Sequence, residues 1–157
     1  MGMAIIRTIV MGMEMAMAMA LFIRIFVFVL QFSRNIHRKK AEAFAMDSRA
    51  VQIVRGGIES NLDTLIHPME RPFIYMPLMH SENIEDLKFC VKLFEKAVES
   101  ADNELFRDRL DASVKFAKDH MKIVEKYGRY PHRNAVLGRQ STEEELEYLK
   151  NAETYGQ

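Results

Sequence analysis

A nearly continuous apolar run over residues 11–32 is the strongest constraint on how this chain folds. Only two charged side chains, Glu14 and Arg24, interrupt the run, and its length approaches that of a helix that crosses a bilayer. In a membrane, Arg24 would lie near the middle of the span, where a charged side chain costs about 2.5 to 3.5 kcal/mol on insertion scales. We therefore interpret the run as a central helix over about residues 13–31 that the protein surrounds on most sides. A membrane anchor over residues 11–32 is the alternative.

The segment before this helix has an unusual composition. Methionine stands at every second position from Met11 to Met19, and such flexible side chains specify no sharp packing. A secretory signal peptide fits poorly, because basic residues follow the apolar run where a small-residue cleavage site would be needed. We assign residues 1–20 to an atypical methionine-rich segment that starts the first helix, residues 21–150 to a single all-helical domain, and residues 151–157 to a frayed C-terminal tail.

The composition favours one cytoplasmic domain and argues against several classes of protein. A chain of 157 residues is long enough to bury a single hydrophobic core. The 22 basic and 22 acidic side chains cancel, so no net field attracts nucleic acid, and we expect no nucleic-acid partner. Cys90 is the single cysteine, which excludes an internal disulfide and a thiolate zinc cluster and fits a reducing compartment. We expect Cys90 to lie in the core.

Apolar residues at spacings of three and four predict a series of amphipathic helices after the first one. These helices cover about residues 40–60, 81 or 83 to 100, and 103–126, and a shorter helix of about residues 71–76 lies among three prolines. A last helix begins at Ser141, because Glu144 follows three residues later in the pattern of a capping box. Amphipathic helices joined by short loops pack against each other, so the predicted fold class is all-α, a helical bundle of antiparallel helix pairs.

Three parts of the chain carry a family resemblance. They are QFSRNI at residues 31–36 with AEAFAMD at residues 41–47, ERPFIYMPLMHSE at residues 70–82, and YGRYPHRNAVLGR at residues 127–139 with STEE at residues 141–144. In order and spacing they resemble the signature segments of the bacterial family called domain of unknown function 924. The resemblance covers about residues 22–150 and implies an all-helical, tetratricopeptide-like fold in a cytoplasmic bacterial setting, without an established substrate, reaction or catalytic residue.

The chain departs from that family in two places. The family usually has an aspartate directly before the glutamine of the first segment, where this chain has Leu30. Residues 1–20 also do not reproduce the tryptophan-rich N-terminal region of the family. If the missing aspartate is functional, its activity is not expected here.

Polar residues that follow the helices form the candidate binding site. Arg34 and Asn35 follow the first helix, while Arg133 and Asn134 stand beside His132 after the long helix of residues 103–126. Guanidinium groups can hold a carboxylate or a phosphate at two points. The leading hypothesis is a binding module whose polar pocket captures an anionic small molecule or a peptide end, so that Arg133→Ala abolishes binding and nearly preserves the melting temperature. The predicted ligand-binding residues are Arg34, Asn35, Arg71, Tyr75, His80, Glu82, His132, Arg133 and Asn134.

Two alternatives compete with the binding module. The first is a metal-independent enzyme in which His80 or His132 is a general acid or base and arginines stabilise developing negative charge. The second is a structural or membrane-anchored helical module, in which the same polar residues bond helix ends and nearby carboxylates. The sequence assigns no catalytic residue and leaves open whether the protein is an enzyme, which ligand it binds and what its oligomeric state is.

Metal and cofactor sites have little support in the sequence. A metal site would have to combine His80 and Glu82 with His120 and His132, which lie on three separate segments and show no metal-ligand spacing. Phosphate-loop and dinucleotide-binding fingerprints are also missing from the sequence. We therefore predict that the protein uses neither a metal nor a cofactor.

Overall fold

The computed structural model describes residues 2–152, including every side chain in that range except those of residues 2–5, 7, 8, 20, 23, 24, 27, 28 and 31. This part of the chain forms seven α-helices and no β-strand. The helices are α1 (Gly2–Val27), α2 (Ser33–Ile36), α3 (Asp47–Glu59), α4 (Arg71–His80), α5 (Ile84–Glu99), α6 (Glu104–Tyr127) and α7 (Glu143–Leu149). The all-α fold class is therefore confirmed. The tail predicted at residues 151–157 lies outside the described residues beyond Ala152.

The helical hairpin of α5 and α6 provides the centre of the core. Both helices bury one stripe at spacings of three and four, in which Leu87, Cys90 and Phe94 are fully or almost fully buried on α5. The cap of α5 is Asn83, whose side-chain oxygen accepts a hydrogen bond from the N–H of Glu85 at 3.0 Å. At the C-terminus of α6, Gly128 adopts a φ of 69° and closes the helix, as a C-terminal glycine is expected to do. The predicted burial of Cys90 is thus confirmed.

Helix α1 corrects the prediction of a first helix that the protein surrounds. Met11, Met13 and Met17 are 60%, 62% and 71% exposed, and among the described side chains of this part of the chain those from Met19 onwards pack on the core, through Phe22, Phe26 and Leu30. The reason is length, since 26 residues make a helix of about 39 Å, whereas the 13 residues of α3 span about 20 Å. Most of α1 therefore extends beyond the helices against which it packs. No helix in the described range is both long enough and apolar enough to cross a membrane.

Several helix boundaries differ from those predicted, and α3 begins at Asp47 instead of near residue 40. Helix α4 continues to His80 instead of ending near residue 76, and it contains Pro77, which is buried with its neighbours Leu78 and Met79. Burial of these side chains offsets the unfavourable effect of an internal proline. The capping box of α7 lies one residue later than predicted, because Thr142 and Glu145, instead of Ser141 and Glu144, bond reciprocally. Both frames satisfy the sequence pattern, and the frame that buries Glu145 is the one that forms.

Short turns carry residues of the site between the helices. A π-helical turn, Phe28–Phe32, joins α1 to α2, and 3-10 turns are found at Ala41–Phe44, Leu62–Leu65, Pro68–Glu70 and Pro131–Arg133. The turn Ala41–Phe44 precedes α3, and the turn Pro131–Arg133 follows α6. These two turns place Phe44 and Arg133 beside the N-terminus of α3, where the candidate site is found.

Candidate functional site

Two arginines from distant parts of the chain meet at one carboxylate. Arg34, on α2, donates two hydrogen bonds to Asp47 in the first turn of α3, with N–O distances of 3.1 and 2.9 Å. Nη1 of Arg133 lies 3.5 Å from Oδ2 of the same carboxylate. Both guanidinium groups also lie over the ring of Phe44, at 5.3 and 4.8 Å from its centroid. One carboxylate therefore neutralises only one of the two arginines.

Arg133 is the most deeply buried charge of this group, with only 4% of its surface exposed. Its Nη1 donates a hydrogen bond to the carbonyl of His80 at 2.9 Å, and its guanidinium lies 4.5 Å from the centre of the Tyr130 ring. Burial and the neighbouring charge of Arg34 lower the pKa of Arg133 to about 10, so it stays protonated at neutral pH. Its Nε has no hydrogen-bond partner in the described part of the protein.

The groups around these arginines respond to burial and to the excess positive charge. Burial raises the pKa of Asp47, and the charges of Arg34 and Arg133 offset only part of that effect. Burial also lowers the pKa of His80 well below its ordinary value, and the same two arginines lower it further. The pKa of His132 falls to about 4, again through burial first and the charge of Arg133 second. Both imidazoles are therefore neutral at pH 7.

A second ion pair fastens the loop after α6 to the corner between α4 and α5. Arg139 donates two hydrogen bonds to the carboxylate of Glu82, at 2.6 and 2.9 Å, and Glu82 also accepts one from the N–H of Tyr130 at 2.8 Å. Burial acts to raise the pKa of Glu82, but these hydrogen bonds outweigh it and the pKa lies below its usual range. Glu82 and Arg139 thus form a matched pair.

These charges border an open cavity of about 660 Å³, which we call the α3–α5 pocket. Its lining residues are Phe44, Asp47, Ser48, Val51, Gln52, Arg55, His80, Ser81, Glu82, Asn83, Asp86, Arg133 and Leu137. The N-terminal turns of both α3 and α5 contribute to this lining, and helix N-termini favour negative charge. Another matched pair lies on the wall, where Arg55 and the hydroxyl of Ser81 both donate to Asp86.

The structure brings some of the predicted site residues together and separates others. His80, Glu82 and Arg133 line the α3–α5 pocket, and Arg34 reaches it through Asp47. The ring of His132 lies 5.5 Å from that of Tyr130, beside the same group of charges.

Four predicted residues belong to other environments. The hydroxyl of Tyr75 donates to Asp63 at 2.6 Å, and Arg71 binds the carbonyl of Ile66, so both stabilise the loop before α4. Asn35 is exposed on α2. Asn134 is buried, but it donates to Ser141 and Glu145 and so points towards α7.

The loop between α6 and α7 is held by a buried carboxylate that we did not predict. Glu145 is 2% exposed and accepts two hydrogen bonds from Arg129, at 2.7 and 2.8 Å, one from Asn134 and one from the N–H of Thr142. The hydrogen bond from Arg129 is the main reason that the pKa of Glu145 falls to about 2. Arg129 and Asn134 therefore fix the loop, as the structural interpretation of these residues expected.

The acidic centre of the site was not predicted from the sequence. Asp47 occurs in the quoted segment AEAFAMD, but neither its spacing from Arg34 nor any motif marked it as the acceptor of two arginines. Arg55 and Asp86 were missed for the same reason, since they come from α3 and α5 and meet through packing alone. Among the described residues, no three histidine, cysteine, aspartate or glutamate side chains are grouped as metal ligands.

Comparisons with known proteins place this chain in a family. Residues 14–153 match the model of a family described as bacterial protein of unknown function, DUF924. A comparison with curated proteins found no match. One similar solved structure is that of a protein of unknown function from Agrobacterium tumefaciens, with 30% identity and a TM-score of 0.66 over 81% of this chain. This chain spans 65% of the length of that protein. The chain belongs to the DUF924 family.

Proposed function

We propose that the protein binds a small anionic molecule, or the carboxylate at a peptide end, in the α3–α5 pocket. The observation that carries the proposal is the sharing of Asp47 by Arg34 and Arg133. Arg55 and Arg139 each have a carboxylate of their own, so four arginines in and behind the pocket wall share three carboxylates, although only Arg55 and Arg133 line the pocket itself. The neutral state of His80 leaves that excess of arginine over carboxylate unchanged at pH 7.

The position of the excess charge makes it effective for binding. A carboxylate placed 4 Å from a buried guanidinium gains about 4 kcal/mol at an effective dielectric constant of 20, against about 1 kcal/mol in water. The first turns of α3 and α5 also line the pocket and add partial positive charge there. Arg133 also keeps its Nε without a hydrogen-bond partner among the described residues, although it is buried. We therefore expect an anion to bind beside Arg133 and the first turn of α3.

Arg133 itself is a poor probe of this function, which revises the expectation that Arg133→Ala leaves the melting temperature nearly unchanged. Removing its side chain would leave the carbonyl of His80 without its donor and reduce the pairing of Asp47. Each unsatisfied buried group costs about 1–3 kcal/mol, so loss of binding and loss of stability would be confounded.

Ser48 offers a cleaner test, because it is exposed, lines the pocket and lies in the first turn of α3. In Ser48→Glu a negative charge favours the helix terminus but repels an anionic ligand. Ser48→Gln controls for size, and Leu105→Glu places the same charge at the matching, exposed position of α6. Isothermal titration calorimetry with acetate, succinate, phosphate and a short peptide with a free or amidated carboxyl end should show that only Ser48→Glu weakens binding, by tenfold or more.

Two results would contradict the proposal. One is equal affinity of Ser48→Glu and Leu105→Glu for every ligand that binds the wild type. The other is the lack of measurable binding of the whole panel to the wild-type protein. The second result would favour the structural alternative, in which all these charges only fasten helices and loops.

A second candidate function is a metal-independent enzyme in which His80 is a general base. The supporting observation is that His80 lines the pocket with its pKa held well below the ordinary value, so the imidazole is in its proton-accepting form at pH 7. No activated nucleophile accompanies it among the described residues of the pocket, since Ser81 donates to Asp86 and Cys90 is buried against the carbonyl of Tyr75. The test is turnover of a panel of nitrophenyl esters and nitrophenyl phosphates. Loss of turnover in a folded His80→Asn variant would support this candidate, and turnover that is unaffected by the substitution would reject it.

A further inference from the structure

A second cavity of about 440 Å³ lies between α4 and α6, and we call it the α4–α6 groove. It shares no lining residue with the α3–α5 pocket. Its lining is mainly apolar and includes Met69, Phe73, Met76, Met79, Phe94 and Phe116. Methionine side chains adapt to irregular apolar ligands, so this wall suits a flexible hydrocarbon chain. The groove also falls within the size range of about 300–1,000 Å³ that is usual for small-molecule sites.

The groove exists because α6 presents small side chains towards α4. Ala112 and Ser113 come three and four residues after Arg109, and Phe116 comes four and three residues after them, so all four lie on one face of α6 and line the groove together. Ala112 and Ser113 are too short to fill the space between the two helices. At the rim, Phe73 remains 62% exposed and Phe116 44% exposed. An apolar ligand chain in the groove would cover surface that the fold leaves in water.

Arg109 is the one charged residue in this lining. Arg109 is exposed, and its guanidinium makes neither an ion pair nor a hydrogen bond with another residue in the described part of the chain. Five other arginines of the protein do pair with a carboxylate, and these are Arg34, Arg55, Arg129, Arg133 and Arg139. A cation without a partner at the edge of an apolar groove is complementary to a ligand with an apolar body and an anionic end.

We propose that the α4–α6 groove binds an amphiphilic monocarboxylate of the fatty-acid type. The hydrocarbon chain lies between α4 and α6 against Met76 and Phe94, and the carboxylate pairs with Arg109. The apolar wall selects for the chain, while Arg109 selects the anionic head over a neutral or cationic one. This site is independent of the α3–α5 pocket, and neither requires the other.

A head-group series tests the proposal directly. Binding of dodecanoate, dodecanol and dodecylammonium, each below its micelle concentration, is measured by displacement of a fluorescent apolar dye from the full chain. Because Arg109 is exposed, the wild type should bind dodecanoate about two- to fivefold more tightly than dodecanol, and dodecylammonium most weakly. Arg109→Gln should bind dodecanoate and dodecanol equally, whereas Lys115→Gln, which removes an exposed charge elsewhere on α6, should behave as the wild type.

Two further variants show whether the amphiphiles bind in the α4–α6 groove or elsewhere on the protein. Ala112→Phe fills the groove from an exposed position and should abolish binding of all three amphiphiles without unfolding the protein. Ser48→Glu should leave dodecanoate binding unchanged, because Ser48 belongs to the other pocket. Three results would overturn the proposal. The first is equal affinity of the wild type for dodecanoate and dodecanol, and the second is binding retained by Ala112→Phe. The third is binding of an acidic amphipathic peptide without binding of dodecanoate.

Discussion

Gly57 is the point at which α1 rests on α3, and its replacement by alanine tests how α1 is held. A Cβ atom at this position would lie 2.5 Å from Cζ and 2.9 Å from Cε1 of Phe22 on α1. Carbon atoms pack at about 3.5–4.0 Å, so the Phe22 ring would have to move by roughly 1 Å or leave its site. Gly57 is buried, and the ring of Phe22 packs on the core, which limits that movement.

The neighbouring Gly56 supplies a matched control, because a Cβ there would have no atom within 4 Å. Gly56→Ala should stabilise the protein by about 0.5–1 kcal/mol through helix propensity alone. Gly57→Ala has the same gain but also an overpacking cost of about 1–3 kcal/mol. The two variants should therefore differ by about 1–3 kcal/mol, which corresponds to roughly 2–10 °C in melting temperature for a chain of this size.

A double-mutant cycle with Phe22→Ala locates the cause of that difference. Without the Phe22 ring, Gly57→Ala should become as stabilising as Gly56→Ala, giving a coupling energy of about 1–3 kcal/mol between positions 22 and 57. Urea unfolding followed by circular dichroism measures all the free energies. If Gly57→Ala stabilises the otherwise unchanged protein as much as Gly56→Ala does, α1 does not contact α3 through Phe22 and the reasoning is wrong.

Three further predictions concern buried titratable groups. The hydrogen bond from Arg129 lowers the pKa of Glu145 to about 2, so the stabilising effect of Glu145 is present above the unfolded pKa of about 4.3 and is lost as the pH falls towards 2. In this pH window, urea unfolding should show that the free energy of unfolding falls more steeply in the wild type than in Glu145→Gln. Burial lowers the pKa of His132 to about 4, so the unfolded chain binds the proton first, and the free energy of unfolding should fall from about pH 6.5 to 4 more steeply in the wild type than in His132→Gln. Burial raises the pKa of the Cys90 thiol to about 12, so labelling by a disulfide reagent at neutral pH should be slow in the folded protein and fast in denaturant. Rapid labelling of folded Cys90 would contradict the core position.

The sequence predicts the regular part of the fold well because its signals are local. The helices expected over residues 81 or 83 to 100 and 103–126 are observed as Ile84–Glu99 and Glu104–Tyr127. Asparagine caps, a C-terminal glycine and apolar spacing all act within one turn of the chain. The exposure of α1 was not predictable in the same way. The sequence of an apolar helix does not show how long the helices that pack against it are.

The candidate site depends on contacts between distant segments. The sequence indicates one residue of such a contact but not its partner. Arg34 and Arg133 were predicted from their residue type and their position after helices. Their shared acceptor Asp47 was not predicted, because no sequence spacing indicates which of the 22 acidic residues pairs with a given arginine. Arg71 and Tyr75 were predicted as site residues from their polar character, but both form hydrogen bonds with residues of the loop before α4.

The pairing of each arginine separates structural charges from those available to a ligand. A buried charge is costly unless it is paired, so an arginine with two hydrogen bonds to its own glutamate has reached a satisfied state. Arg129 and Arg139 are in this state, and both fasten the loop that follows α6. Arg34 and Arg133 divide a single carboxylate, and Arg109 has none among the described residues. Arg34 and Arg133 share one acceptor beside the α3–α5 pocket, and Arg109 lines the α4–α6 groove without one in residues 2–152, so these are the places where we expect binding of an anion to complete the set of charges.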